Sequence, residues 1–233
     1  MSGLGSLRRI AAPKPAPEPA AERCEFCGVD IGDRHGHVAD VAQHRLLCVC
    51  RPCYLLFAPQ GAGGGRYRGV GEDVRRVTDL AVSDAQWDAL RIPVDLAFFF
   101  RQSGAADQLL AFYPGPGGAT ESLLDLAAWG DLAAANPVLD QTEEDVEAVL
   151  LRRHDGGFSC FLVPIDLCYE LVGVVRSSWT GLGGGPEVWA RIEDWFAALD
   201  ARARRVTADG ASWSRRAGCA ACTASRTPST RAA

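Results

Sequence analysis

RCEFCGVDIGDRHGHVADVAQHRLLCVCRPCYLLF, residues 23–57, gathers five of the chain's nine cysteines and three of its four histidines. A tetrahedral thiolate site needs two short chelating turns whose four sulfurs converge at roughly 2.3 Å from one ion. Cys24-Glu-Phe-Cys27 followed by Gly28 is one such turn: a two-residue gap aims both thiols at one point, and the glycine lets the backbone fold beneath them. Cys50-Arg-Pro-Cys53 is another. The twenty-two residues between the turns hold the loop VDIGDRHG and a hairpin through HVADV and HRLLCV. After Cys53, YLLFA starts a helix. The spacing predicts a metal-binding module over residues 23–57, with Cys24, Cys27, Cys50 and Cys53 as its ligands.

Knuckle, hairpin and a helix whose start bears ligands is the arrangement of treble-clef and zinc-ribbon modules. Zinc is the expected ion; iron in the same four thiolates, as in rubredoxin, is the alternative and would make the protein an electron carrier. Four cysteines close the shell and leave no position for water or substrate, so zinc here folds its segment rather than catalysing. Its binding energy becomes folding energy for a stretch too short to build a core. Cys48 has two open readings: a small buried hydrophobe, or a fifth thiolate that exchanges at the site or bridges a second metal. In an extended strand Cys48 and Cys50 face the same side, and spacing favours Cys50 as the ligand. His35 and His37 form HxH and are either exposed loop residues or ligands, to a second ion or in place of a cysteine. His44 has no assigned role. An HNH nuclease uses a similar module, but no matching basic helix is present and the net charge has the wrong sign.

At 233 residues the chain has room for one ordinary domain, a small appendage and unstructured ends. Its composition, 48% hydrophobic and 23% charged, is that of a folded globular protein. The formal net charge of −5 argues against a nonspecific grip on nucleic acid or an anionic membrane. No run of eighteen apolar residues occurs, and the N-terminal stretch lacks the apolar core of a secretory signal. The expected location is the cytoplasm, where clustered thiols are metal ligands before they are disulfides.

Residues 1–22, rich in Ala and Pro, are expected to be a disordered tail, and APQGAGGG, residues 58–65, a flexible linker. From 66 to 205 the pattern is that of an α+β domain, an antiparallel sheet covered by helices. SDAQWDAL predicts a helix capped by Ser83. VDLAFFFRQ and QLLAFYP predict a hairpin over 94–114, and EAVLLRR and FSCFLVP a second around HDGG. TESLLDLAAWGDLAAANP, residues 120–137, predicts a helix capped by Thr120 that stops before Pro137. IDLCYELVGVVRSSW predicts a helix buried on most sides, and PEVWARIEDWFAALDARARR an amphipathic one over 186–205. Residues 206–233 lose periodicity and are expected to be disordered.

Other candidates are weaker. Cys160 and Cys168 lie in apolar runs and read as buried thiols with no basic neighbour to activate them. Cys219-Ala-Ala-Cys222 is either tail sequence or a redox or metal-delivery pair. GAGGGRYRG and GLGGGPEVW match no phosphate-binding fingerprint and read as linker and turn. Glu121, Asp125, Asp131, Glu170, Glu193 and Asp194 are expected on solvated helix faces, and His154 in a hairpin turn.

The combination of CEFCG, the HxH after it, CVCRPCYLLF, GGGRYRGV, QWDALRIPVDLAFFF, FYPGPGGATESLLDL and FLVPIDLCYELVGVVRSSWTGLGGG resembles an uncharacterised actinobacterial family, from about Arg23 to Leu199. Members of that family are often encoded beside nickel–iron hydrogenase genes. The resemblance implies an accessory role in hydrogenase assembly or electron transfer. It brings no catalytic residue; Cys24, Cys27, Cys48, Cys50 and Cys53 match the family's cysteine pattern. The expected function is a metal-binding accessory protein whose α+β domain recognises a protein partner, the hydrogenase or its maturation machinery by resemblance. An enzyme using a pocket of the α+β domain is the further alternative.

Overall fold

The computed structural model describes residues 22–104, 108–181 and 184–210. Residues 1–21 and 211–233, with Cys219 and Cys222, lie outside the described residues. The chain divides after Gly69 into two compact units. Both combine helices with largely antiparallel sheets.

The first unit opens with the Cys24–Gly28 knuckle. Gly28 N donates to Cys24 O and Cys24 N to Val29 O, both at 2.8 Å, and Gly28 takes the left-handed φ of +73° that closes so tight a turn. Strands β1 (Gly36–Asp40) and β2 (Arg45–Val49) then pair antiparallel, with Val38 opposite Leu47 and His37 opposite Cys48. Helix α1 (Arg51–Phe57) starts from Cys50 as N-cap with a proline in its first turn. Strand β3 (Tyr67–Gly69) joins the free edge of β1. The alternation of the strands turns Val38, Leu47 and Val49 onto one face, where they bury Cys24 and Cys53 among Phe26, Tyr54, Phe57 and Tyr67. Gly36 allows that packing, since a Cβ there would lie 2.7 Å from the Tyr54 ring. The glycine run expected to link two domains instead lies inside this unit: residues Ala62–Gly65 make a short 3-10 turn that returns the chain to β1 as β3.

The second unit is built on a seven-stranded sheet of order β10-β4-β9-β8-β5-β6-β7. The strands are β4 (Arg75–Val77), β5 (Leu96–Gln102), β6 (Gln108–Gly115), β7 (Gly118–Ser122), β8 (Glu147–His154), β9 (Gly157–Pro164) and β10 (Arg204–Val206). All neighbours pair antiparallel except β10 and β4, which are parallel. Both faces of the central strands are covered, which is why LAFFF, AVLL and CFLV are continuously apolar. Phe99, Val149 and Leu162 face Trp87 of α2 (Asp84–Ala89) and Trp129 of α3 (Leu126–Ala135). Phe98 and Phe161 face the other way, toward Tyr169 of α4 (Ile165–Ser178) and Phe196 of α5 (Gly185–Arg202).

Both expected hairpins and the Ser83 cap are present: the Ser83 hydroxyl accepts from Gln86 N, and the Gln86 side chain accepts from Ser83 N. Other expectations are corrected. Thr120 caps no helix; it lies in β7 opposite Tyr113, because Pro116-Gly117 makes a tight turn that folds the chain back on β6. The helix begins instead at Asp125, whose carboxylate accepts from Ala127 N and Ala128 N, and Glu121 is on a strand. Helix α4 buries one face only, through Ile165, Cys168, Leu171, Val172, Val175 and Ser178. The last helix stops at Arg202, and residues 204–210 belong to the fold, with Val206 and Ala208 in the core.

Candidate metal centre

The knuckle, the end of β2 and the first turn of α1 converge, and the Sγ atoms of Cys24, Cys27, Cys50 and Cys53 all lie within 4.8 Å of one another. Cys27 Sγ and Cys50 Sγ are 3.6 Å apart. Cys24 and Cys53 are buried, Cys50 is half-buried and Cys27 exposed. Glu25, between the two knuckle cysteines, ties the turn to β2: its backbone N donates to Cys48 O at 3.0 Å, and its carboxylate accepts from Cys48 N at 2.7 Å. Nothing in the sequence pattern singled out Glu25, since one acidic residue inside a CxxC carries no signal of its own.

Without a cation these thiols work against one another. Burial raises the Cys24 thiol, but the backbone groups of Cys50, Cys27 and Phe26 and the Cys27 side chain more than offset it, to about 6. Burial pushes Cys53 far up, and the side chains of Cys50, Cys27 and Cys24 push it further. At Cys27 the Val29 backbone lowers the thiol, while the Cys24 side chain and burial raise it, with a net rise. One thiolate forms readily and the next is opposed by it. A divalent cation removes that opposition, so the group of four can hold a metal ion.

Cys48 and Cys50 do not share a site. Cys50 lies past the last paired residue of β2, Val49, and is the N-cap of α1, so it is outside the ladder that fixes where Cys48 points. Cys48 instead meets His35 and His37, the ligand atoms of the three lying within 4.8 Å of one another. His37 is its direct cross-strand partner, and His35 is two residues before His37. Neither histidine is an exposed loop residue. Burial first, then the charges of Glu22 and Glu25, raise the Cys48 thiol. His44 is exposed in the β1–β2 turn with φ of +50° and belongs to neither group.

In the second unit Cys160 and Cys168 are fully buried. Burial pushes the first up to about 12, and burial with the charge of Asp166 raises the second well above the usual thiol value, so neither is an activated nucleophile. An open cleft of about 460 Å³ is lined by Arg76, Arg152, His154, Ser159, Glu193 and Asp200. Its charges pair with each other, Arg152 with Glu193 and Arg76 with Asp200 at 2.7 Å. His154 Nε2 lies 2.9 Å from Ser159 Oγ, but Gly156 N donates to His154 Nδ1 at 3.2 Å. In the neutral ring the proton is then on Nε2, pointing at the serine oxygen, which is the reverse of what a base activating Ser159 requires. No helix among the described residues is long and apolar enough to cross a membrane.

The chain belongs to a family of unknown function, DUF5947, whose pattern matches residues 23–203 and so runs through both units. No curated protein and no solved structure matches it.

Proposed function

We propose that the first unit is a zinc module of the treble-clef or zinc-ribbon kind, and that the protein is a cytoplasmic accessory factor whose second unit meets a protein partner. The observation that carries the reading is the convergence of four thiols from two CxxC turns within 4.8 Å. Four thiolates suit zinc and fill its tetrahedral shell, so the ion would supply folding energy and no chemistry. Cys24 and Cys53 sit inside the small apolar core, where a shared ion joins knuckle to helix.

Elemental analysis and a visible spectrum of protein purified without added metal test the metal. Zinc is expected, with no colour, and Cys27→Ala with Cys53→Ala together should remove one equivalent. Iron with thiolate charge-transfer absorption would replace this reading with that of an electron carrier, and metal content unchanged in the double variant would end both. The family resemblance supports a nickel–iron hydrogenase or its maturation machinery as the partner. Co-expression with those subunits, followed by size exclusion, should give a stable complex; separate elution from every one of them removes that partner.

A further inference from the structure

We infer that His35, His37 and Cys48 form a second metal site, built for a divalent transition ion of the zinc type and separate from the four-cysteine group. The three residues are held by the register of the hairpin. His37 stands directly opposite Cys48 across the β1–β2 pair. Val38, Leu47 and Val49, which flank those two positions, go to the core face, so alternation turns His37 and Cys48 onto the opposite face of the ribbon. His35 stands two residues before His37, and the rings of the two meet with centroids 4.8 Å apart and planes at 65°. One ligand atom from each of the three falls within 4.8 Å of the others.

A second observation is independent of that clustering. The side chain of His35 is only 9% exposed, and its Nε2 is buried with no hydrogen-bond partner. Its Nδ1 lies 2.9 Å from Gly32 O. A carbonyl oxygen only accepts, so Nδ1 carries the proton and Nε2 is left with a buried lone pair. A buried acceptor without a donor costs free energy, and a metal ion is a partner that meets it. Donation of the remote ring N–H to a backbone carbonyl is also how metal-ligating histidines are usually fixed. Glu22 Oε2, 3.6 Å from the same Nδ1, adds negative charge at the outer edge.

Two neutral imidazoles and one thiolate are donors of the borderline softness that zinc, cobalt and nickel accept. Three protein ligands leave a fourth position for water, unlike the closed shell of four cysteines. The inference does not rest on the zinc reading of the first group, because none of its residues is shared.

Cobalt(II) is a suitable probe, since its visible bands report each site. The full chain, stripped of metal under reducing conditions, would be titrated with Co²⁺ and the stoichiometry followed by absorption and elemental analysis. Two equivalents per chain are expected, one for each group of donors. His37→Gln and, separately, Cys48→Ser should each lose one equivalent while keeping the intense thiolate-to-cobalt band of the four-cysteine site, which shows that the hairpin still folds. A single equivalent that both substitutions leave in place overturns the inference, as does a second equivalent that survives both. Failure of the four-cysteine reading looks different: the unaltered chain would hold a single equivalent that either substitution removes.

Discussion

Asp40 shows how much one side chain contributes to the smaller unit. It is 2% exposed, and Arg66 reaches it with two hydrogen bonds, Nε to Oδ1 at 2.9 Å and Nη2 to Oδ2 at 2.6 Å, joining β1 to the chain entering β3. The Arg66 guanidinium holds the carboxyl below its usual value of 3.8 even though burial works the other way. A depressed folded value means stability that is complete above pH 3.8 and is lost as pH falls through the folded value. Asp40→Asn should therefore cost about 1–3 kcal/mol at pH 7. In chemical denaturation the gap between the two proteins should close below pH 3.8; acid-driven metal loss affects both alike and cancels in the difference. In the larger unit Asn136 plays a comparable part. Fully buried, its Nδ2 donates to Ala81 O and Leu132 O and its Oδ1 accepts from Ala81 N. Asn136→Ala strands three backbone groups and should cost about 3 kcal/mol in the unfolding of residues 70–210. Neither role was legible in the sequence. An Asp at a strand end and an Asn before a proline are common at turns, and only tertiary structure places their partners, 26 and 55 residues away.

Among elements, those that read well are the ones whose pattern is decided locally. The two CxxC turns, the Ser83 capping box and the long apolar strands β5, β6, β8 and β9 each carry their signal within a few residues. The short strands do not. β4 and β10 are both Arg-Arg-Val, polar triplets held in the sheet by pairing with each other and with β9, and β3 is a Tyr-Arg-Gly that exists because β1 has a free edge. The four-cysteine group was legible from spacing, whereas the company of Cys48 was not, because it depends on where β2 ends and on a register that places His37 opposite it. Gly36 is the position where element packing bears on the four-cysteine group. A Cβ there meets the near end of the Tyr54 side chain, at 2.7 Å from Cδ2, 2.9 Å from Cγ and 3.0 Å from Cβ, so α1 itself has to move. Cys50 caps that helix and Cys53 lies in its first turn. Gly36→Ala is expected to destabilise the unit by about 1–3 kcal/mol through overpacking. It should also weaken retention of the proposed zinc against a competing chelator, and unchanged retention would show that α1 can shift without moving Cys53.

At the scale of the whole molecule the two units differ in what holds them together. The smaller has a core of a few apolar residues around two buried cysteines, too little for a stable fold without an additional link. The larger has a sheet covered on both faces and needs no such link. Five of the six tryptophans are described residues of the larger unit, residues 1–69 contain none, and Trp213 lies outside the described residues, so tryptophan fluorescence does not follow the smaller unit. Chelation of the proposed zinc under reducing conditions is expected to abolish the protection of the β1 and β2 amides against hydrogen exchange, because binding energy and folding energy are the same quantity in such a module. The thermal midpoint read by tryptophan fluorescence should not move. A midpoint that fell with the chelator would mean that the metal supports the larger sheet as well, and the division after Gly69 would then be one of geometry without being one of stability.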